Sequence, residues 1–460
     1  MLSSQINRPD PVPVSGVPGI VWPAIPRARD AGTFSLLAQL EMTQWWPSEA
    51  IARHQLRQAT ELVTFAARNV PFYRERLAPF ADPSHPLTLS ELRRIPLLTR
   101  ADIQRAGDEL TPDKPLGGHG KSYNVTTSGS TGEPVVVQKD AVTKRLHSAF
   151  VLRNHLWHRR DFRGKVATVR RVTDDIVKNT QAGGSVHWAE AYRSGETVFF
   201  DVGGTVEEAL KWVAAQDPEY LNIYPSFLRA LIEAGDADGF KPAKLRQVST
   251  FGEVVYSDLR ARCAESWHVP LVDLYSAQEV GFVALQCPDA EGYHIQAEFN
   301  LVEILDDEGC PSGPGETGRV VVTTLHNFAT PLIRYELGDL AKVGAPCTCG
   351  RGLPVLDRID GRTRNMFRLP DGSRFGLTLR PCGFEKMAPV RQVQLIQKTI
   401  ETVELRIVPT RPLTAVEEAR AREAVYRVVP RSFNVVIRQV DEIPRSAGGK
   451  LEDILSEVVD

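Results

Sequence analysis

At 460 residues the chain is too long for one small core, and the usual size of folding units leads to an expectation of two or three domains. Hydrophobic residues at 42% and charged residues at 24% are ordinary globular values, and a formal charge of -2 offers nucleic acid or an anionic membrane no general attraction. No run approaches the ~20 apolar residues of a membrane helix, and no charged segment followed by an apolar core opens the chain, so a cytoplasmic protein binding neither nucleic acid nor membrane is expected.

Residues 1–30 carry Pro9, Pro11, Pro13, Pro18, Pro23 and Pro26 with little periodicity, which reads as an extended arm that Trp22 would pin to the body. From Ser48, read as the N-cap, Ile51, Leu56, Ala59, Leu62, Val63 and Ala66 recur at helical spacing until Asn69 and Pro71 end the pattern. Beyond residue 140, helical and extended segments alternate. Helices are expected over Ala141 to His155, Val206 to Ala215, Pro225 to Ala234 and Tyr256 to Trp267. Strands are expected over Lys165 to Val172, Tyr220 to Tyr224, Leu245 to Phe251 and Pro270 to Tyr275. That alternation predicts an α/β fold with largely parallel strands. Between Phe299 and Val343 the runs Leu301 to Leu305 and Arg319 to Thr324, separated by turn formers, predict a β-rich subdomain. From about Arg362 a small α+β unit is expected, with paired strands Val390 to Ile396 and Glu401 to Val408, a helix from Ala415 to Val429 and a strand from Phe433 to Val440.

The stretch Thr126 to Pro134 places five hydroxyls and two glycines in nine residues ahead of Val135-Val136-Val137. Small residues let backbone N–H groups approach an anion, and hydroxyls add donors without bulk. Read alone, the same composition also fits a polar turn before a strand. Gly120-Lys121-Ser122 ends like a nucleotide P-loop, but Pro115 stands where that loop needs a glycine.

Cys287 and His294 are separated by six residues, and Cys347-Thr348-Cys349 follows in a Pro/Gly-rich turn. Three thiolates and one imidazole suffice for a closed tetrahedral zinc site, and buried free cysteines are the competing reading. Cys263, Cys310 and Cys382 lack comparable partners and read as buried or incidental thiols.

Taken together, the loop Thr127 to Pro134, the run Tyr275-Ser276-Ala277-Gln278-Glu279, the run Arg334-Tyr335-Glu336-Leu337-Gly338-Asp339, then Gly361-Arg362 and Pro444 to Lys450 occur in the order seen in adenylate-forming enzymes. The chain most resembles their phenylacetate-CoA ligase branch, which Val70-Pro71-Phe72-Tyr73 and Pro331-Leu332-Ile333 also fit.

The resemblance implies an arm (1–30), a large layered α/β AMP-binding domain with a β-rich subdomain (31–361) and a small mobile C-terminal α+β lid domain (362–460). It further implies activation of a carboxylic acid by ATP and transfer of the acyl group to the thiol of CoA. Under that implication Thr127, Ser128, Gly129, Ser130, Thr131 and Gly132 hold phosphates, Glu279 ligates Mg²⁺, and Tyr275 beside Ser276 stacks on adenine. Asp339 and Arg362 hold the ribose, and Lys450 reaches the substrate carboxylate and α-phosphate. Without the resemblance, Tyr275 reads as a core aromatic and the charged residues as surface groups.

The resemblance also implies an acyl pocket lined from His187, Trp188, Tyr224, Phe251, Gly252, Glu253 and Ala277, a mix that suits an aromatic or compact acid, with His187 and Trp188 read first as packing residues. Some relatives in the branch carry zinc at positions matching the four Cys and His ligands. Two departures stand out, Arg364-Asn365 at the implied hinge and Glu133 where many relatives carry a basic residue. The competing functions are transfer to an acyl-carrier-protein thiol or an amine, and a non-catalytic nucleotide-binding scaffold. Lys450, Asp339 and Glu279 together argue against the scaffold.

Overall fold

The computed structural model describes residues 13–82, 84–127, 134–172, 187–192, 194–362, 366–375, 389–446 and 449–458. It divides into two compact units, one of residues 1–337 with 342–358 and one of residues 338–341 with 359–460.

The first unit opens with α1 (Ala28–Thr43) and α2 (Ser48–Asn69). Helix α1 falls partly inside the expected arm. Its start has no side-chain cap, and only Leu37 and Leu40 are buried, so no strong period marks it in the sequence. The preceding residues fold back, pairing Ser15 with Pro26 and bonding the Val14 amide to Ala191 O at 2.8 Å. Trp22 does not pin them, because it stands 77% exposed. Helix α2 matches its period, although its N-cap is Pro47 rather than Ser48.

Two short helices, α3 (Leu89–Arg94) and α4 (Arg100–Ala106), each start at a reciprocal capping box, Thr88 with Glu91 and Thr99 with Asp102. The hairpin β1 (Tyr123–Thr126) and β2 (Val136–Lys139) leads into α5 (Ala141–Trp157), which Asp140 caps through the Thr143 amide at 2.8 Å.

The alternating region forms β3 (Val166–Arg170), β4 (Thr197–Asp201), α6 (Val206–Gln216), β5 (Tyr220–Ile223), α7 (Pro225–Asp238), β6 (Gln247–Phe251), α8 (Ser257–Trp267) and β7 (Leu271–Ala277). Then come β8 (Gly281–Gln286), β9 (Tyr293–Ile295), β10 (Asn300–Leu305), β11 (Thr317–Thr324), β12 (Tyr335–Val343) and β13 (Val355–Arg362). They join in one eleven-stranded sheet of order β10-β11-β12-β13-β9-β8-β7-β6-β5-β3-β4. Strands β4, β3, β5, β6 and β7 pair in parallel, whereas β7-β8, β8-β9 and β10-β11 are antiparallel, as the alternation and the later turn-rich stretch predict.

Leu221, Ile223, Val248 and Val169 on the parallel strands pack with Leu210, Val213, Leu228, Leu231 and Leu259 of α6, α7 and α8. Another cluster joins α5 (Leu146, Phe150, Trp157) to Phe282, Leu285 and Phe299 and to Leu40 and Ile51. Arg153 is fully buried there. Its guanidinium donates to Glu298 Oε1 at 2.8 Å, to Gln296 Oε1 at 3.0 Å and to the Leu40 carbonyl, and so ties α5 to α1 and to the segment before β10.

The second unit contains the hairpin β14 (Phe367–Arg368) and β15 (Arg374–Phe375), then β16 (Val390–Gln397), β17 (Thr402–Pro409), α9 (Ala415–Val425), β18 (Asn434–Gln439) and β19 (Ile454–Ser456). Its sheet has the order β18-β17-β16-β19, and α9 packs Ala421 and Val425 onto Leu405, Ile407 and Val435. Of the incidental cysteines, Cys263 is buried, Cys310 is exposed and Cys382 lies outside the described residues. Among the described residues no helix is long and apolar enough to cross a membrane.

Burial holds several titratable groups neutral. It lowers His155 well below its ordinary range, His158 to about 3 and His326 to about 4, with the Arg160 charge adding to the first two. Burial raises the Asp273 carboxyl to about 6, an opposite effect. The unfolded chain protonates these three histidines near pH 6.5 while the folded chain resists, so stability is complete above that pH and is lost as pH falls towards 4. Asp273 offsets part of this, because the folded state takes up its proton first. His147, which burial also lowers to about 4, acts in the same direction, so urea unfolding followed from pH 7 to 4.5 is expected to show a steady loss of stability, steepest below pH 6, with a slope of about three protons net.

Candidate functional site

In an open α/β sheet the carboxyl ends of adjacent parallel strands face a crevice where ligands bind. Strands β5, β6 and β7 bring Tyr224, then Phe251, Gly252 and Glu253, then Tyr275, Ser276 and Ala277 to three neighbouring ends. Tyr224 is buried with its ring centroid 4.7 Å from that of Phe251. Gly252 has φ +78°, a turn that a side chain would strain. Glu253 then accepts from the Ser226 amide at 2.8 Å and the Ser226 hydroxyl at 3.1 Å, placing its charge at the positive N-terminus of α7. A bulge shifts the register of the pairing with β8 between Tyr275 and Ser276 and so bends the strand end, and Tyr275 is 7% exposed. Below it, the Asp273 carboxyl accepts from Thr250 at 2.7 Å and Tyr293 at 2.8 Å, fixing the strand.

The turn after β7 carries Glu279, which is buried and accepts from the Tyr335 hydroxyl at 3.2 Å. Beside it the buried Lys139, at the end of β2, donates to Gln278 O at 2.7 Å. Burial lowers the Lys139 ammonium to about 8, and the Glu279 charge opposes that shift. Lys139 was not singled out from the sequence, and Tyr335 appeared there only within the run Arg334 to Asp339, with no role of its own. Their partners lie 139 and 56 residues away, beyond the reach of any local motif.

At the base of the hydroxyl-rich loop the Thr127 amide donates to Val135 O at 2.9 Å, and Thr127 Oγ1 accepts from the Val135 amide at 2.9 Å and from Arg100 at 3.3 Å. Ser128, Gly129, Ser130, Thr131, Gly132 and Glu133 lie outside the described residues, as do Arg364 and Asn365.

Trp188 packs against its neighbours. Its ring stacks on Phe162 at 4.9 Å and contacts His155 at 4.4 Å, while its indole N–H donates to Gly164 O at 2.9 Å. His187 is exposed, and its ring pairs with the Ser194 carbonyl.

Arg334 is structural. Held at φ +50° and buried, it donates to Glu303 Oε2 at 2.9 Å and Oε1 at 3.2 Å, and to the carbonyls of Arg93 and Ile95 at 2.5 and 2.6 Å. This pins the segment leading into α4 against β12.

In the second unit Asp339 on β12 is 3.5 Å from Arg362 at the end of β13, with the carboxylate mostly buried and the guanidinium half exposed. Gly338 and Gly361, both at positive φ, precede them in the chain. Lys450 closes a turn in which the Ser446 amide donates to Lys450 O at 2.8 Å and the Lys450 amide to Ser446 Oγ at 3.2 Å.

Cys287, His294, Cys347 and Cys349 converge, their ligand atoms all lying within 4.8 Å of one another. His294 Nε2 is 3.3 Å from Cys349 Sγ, and Cys287 Sγ is 3.8 Å from Cys347 Sγ. A tetrahedral Zn–S site spaces its ligands by about 3.7 Å, so the donor set fits that ion in kind and in size. His294 Nδ1 faces Leu353 O at 3.4 Å, which leaves Nε2 for a metal. Burial, and then the neighbouring thiols, push Cys287 up to about 12, so it would ligate a metal only by giving up its proton. Arg351 lies between the rings of Trp45 and Trp157, at 4.8 and 4.6 Å, and donates to Gln44 Oε1 at 2.9 Å, anchoring the cluster to the end of α1.

A model of the CapK C-terminal domain matches residues 382–457. The chain is similar to a phenylacetate-coenzyme A ligase of Thermus thermophilus, 26% identical over 452 residues covering 89% of this chain and 97% of the relative. It is similar also to one of Escherichia coli, at 27% identity, with 83% and 90% covered. Its fold matches a solved 2-hydroxyisobutyryl-CoA ligase in the postadenylation state with TM-score 0.71 and 19% identity, covering 90% of this chain and 91% of that one.

Breaking the Arg334–Glu303 pair on one side leaves a buried charge alone. Arg334→Met is expected to lower unfolding free energy by about 3–5 kcal/mol, read from the urea midpoint, and Glu303→Gln by less.

Proposed function

We propose that this chain, an adenylate-forming enzyme of the phenylacetate-CoA ligase-like branch, activates an aromatic or compact carboxylic acid with ATP and passes the acyl group to the thiol of CoA. The observation that carries this reading is the gathering of Tyr224, Phe251 to Glu253 and Tyr275 to Ala277 at three adjacent strand ends, beside a buried Glu279. It is supported by similarity over most of the chain to proteins named phenylacetate-coenzyme A ligase.

In the first step a carboxylate oxygen attacks the α-phosphorus of ATP, the bond to the β-phosphate breaks, and pyrophosphate leaves behind an acyl adenylate. In the second, the CoA sulfur attacks the acyl carbon, the bond to AMP breaks, and the thiol proton is released. Tyr275 stacks on adenine, the Thr127 to Gly132 loop receives the β- and γ-phosphates, and Asp339 with Arg362 holds the ribose. Glu279 is the hard oxygen donor for Mg²⁺, whose charge, when bound with ATP, offsets that of the phosphates. Residues 362–460 serve as the lid domain, and Lys450 provides the ammonium for the substrate carboxylate and α-phosphate. Tyr224 and Phe251 give the acyl site aromatic walls, and Gly252 and Ala277 leave it room.

Acid-dependent exchange of labelled pyrophosphate into ATP, run across aryl, aliphatic and amino acids, tests the first step. Exchange with one class of acid is expected, and silence across the panel with folded protein would refute the reading. Lys450→Ala is expected to reduce that exchange about a hundredfold or more while the urea midpoint stays put.

The four-ligand site holds a structural zinc that ties the β8–β9 turn to the loop before β13. Elemental analysis of protein purified without chelator is expected to give about one zinc per chain, and Cys349→Ser to lose the metal and part of the stability. Metal-free, fully stable wild-type protein would count against the zinc.

A further inference from the structure

We infer that Lys139 is a positioning residue of the adenylation site, holding the Gln278-Glu279 turn and standing in for a cation beside Glu279 whenever none is bound. The inference deepens the adenylation reading and rests on it.

Lys139 is 8% exposed, and an ammonium taken so far from water persists only where carbonyls and opposite charge replace its hydration. Among the described residues it makes one hydrogen bond, to Gln278 O at 2.7 Å, and its nearest opposite charge is Glu279. Gly281, at φ +86°, lies beside the ammonium, and a Cβ there would crowd the Phe299 ring at 3.2 Å. Glu279 is tied in turn to Tyr335, so the turn after β7 is held from β2 on one side and β12 on the other. The same lysine closes the strand that follows the hydroxyl-rich loop.

A residue that only filled core space here would be apolar. Replacing a buried ammonium by an apolar group of similar length often leaves stability unchanged or raises it. The charge instead suits a site that must accept a polyanion next to a carboxylate. With a divalent cation present, Glu279 is balanced by that cation. Without one, Lys139 reduces the repulsion between Glu279 and the phosphates.

The test compares ATP affinity, measured calorimetrically on the full chain, in excess chelator and in saturating Mg²⁺. Lys139→Gln keeps a donor for Gln278 O and removes the charge. It is expected to weaken metal-free ATP binding about tenfold and Mg²⁺-supported binding far less. Lys139→Met, which buries no charge, is expected to retain the wild-type melting temperature and show the same asymmetry. Equal weakening in both buffers would assign Lys139 a purely structural role, and unaltered metal-free affinity in both variants would also overturn the inference. Wild-type protein that bound ATP in neither buffer would remove the adenylation reading and this inference with it. Wild-type exchange activity with symmetric variants would remove this inference alone.

Discussion

A carboxylate kept out of water is costly unless donors and counter-charge are built around it, and the first unit is arranged to meet that demand at Glu279. The acid follows a strand whose end is redirected by a bulge. It is approached by a hydroxyl from the start of β12 and by an ammonium from the end of β2. Each support depends on a longer-range fit. Tyr335 is placed by the buried Arg334–Glu303 pair next to it, and the direction of β7 is set by the Asp273 contacts with β6 and β9. The sheet is therefore a frame that brings groups distant in sequence to one edge.

The zinc-fitting cluster works on the same frame from another side. Cys287 follows β8 and His294 lies on β9, the two strands next to β7 on its antiparallel flank. Arg351, held between Trp45 and Trp157, carries the cluster's loop onto the end of α1, and the Gly352 amide donates to Gln44 O at 2.9 Å. A metal held there would cross-link strands that flank β7, which carries part of the candidate site.

Much of the α/β core was legible because its signals are local. The alternation from Ala141 to Tyr275 and the β-branched runs place most elements within a few residues of their observed ends. Helix α1 escaped because it lacks a polar cap and buries few side chains. Trp22 misled because an aromatic among prolines suggests an anchor, yet the contact that docks this segment is the backbone bond from Val14. At the site, contiguous stretches such as Tyr275 to Glu279 and the cysteine pairs could be read directly. Lys139 and Tyr335 could not, since their meaning comes only from partners that folding brings near. Trp188 packs against Phe162 and His155, in keeping with its reading as a packing residue.

The central claim is that the acid oxygen bonds to the α-phosphorus, which leaves a permanent mark on the products. With the substrate acid labelled by ¹⁸O in both carboxylate oxygens, ATP, Mg²⁺ and CoA, mass analysis of the nucleotide product decides it. The account predicts AMP carrying one ¹⁸O, because the bond later broken by the thiol is the one between the acyl carbon and that oxygen. Unlabelled AMP, or ADP with labelled inorganic phosphate, would contradict it.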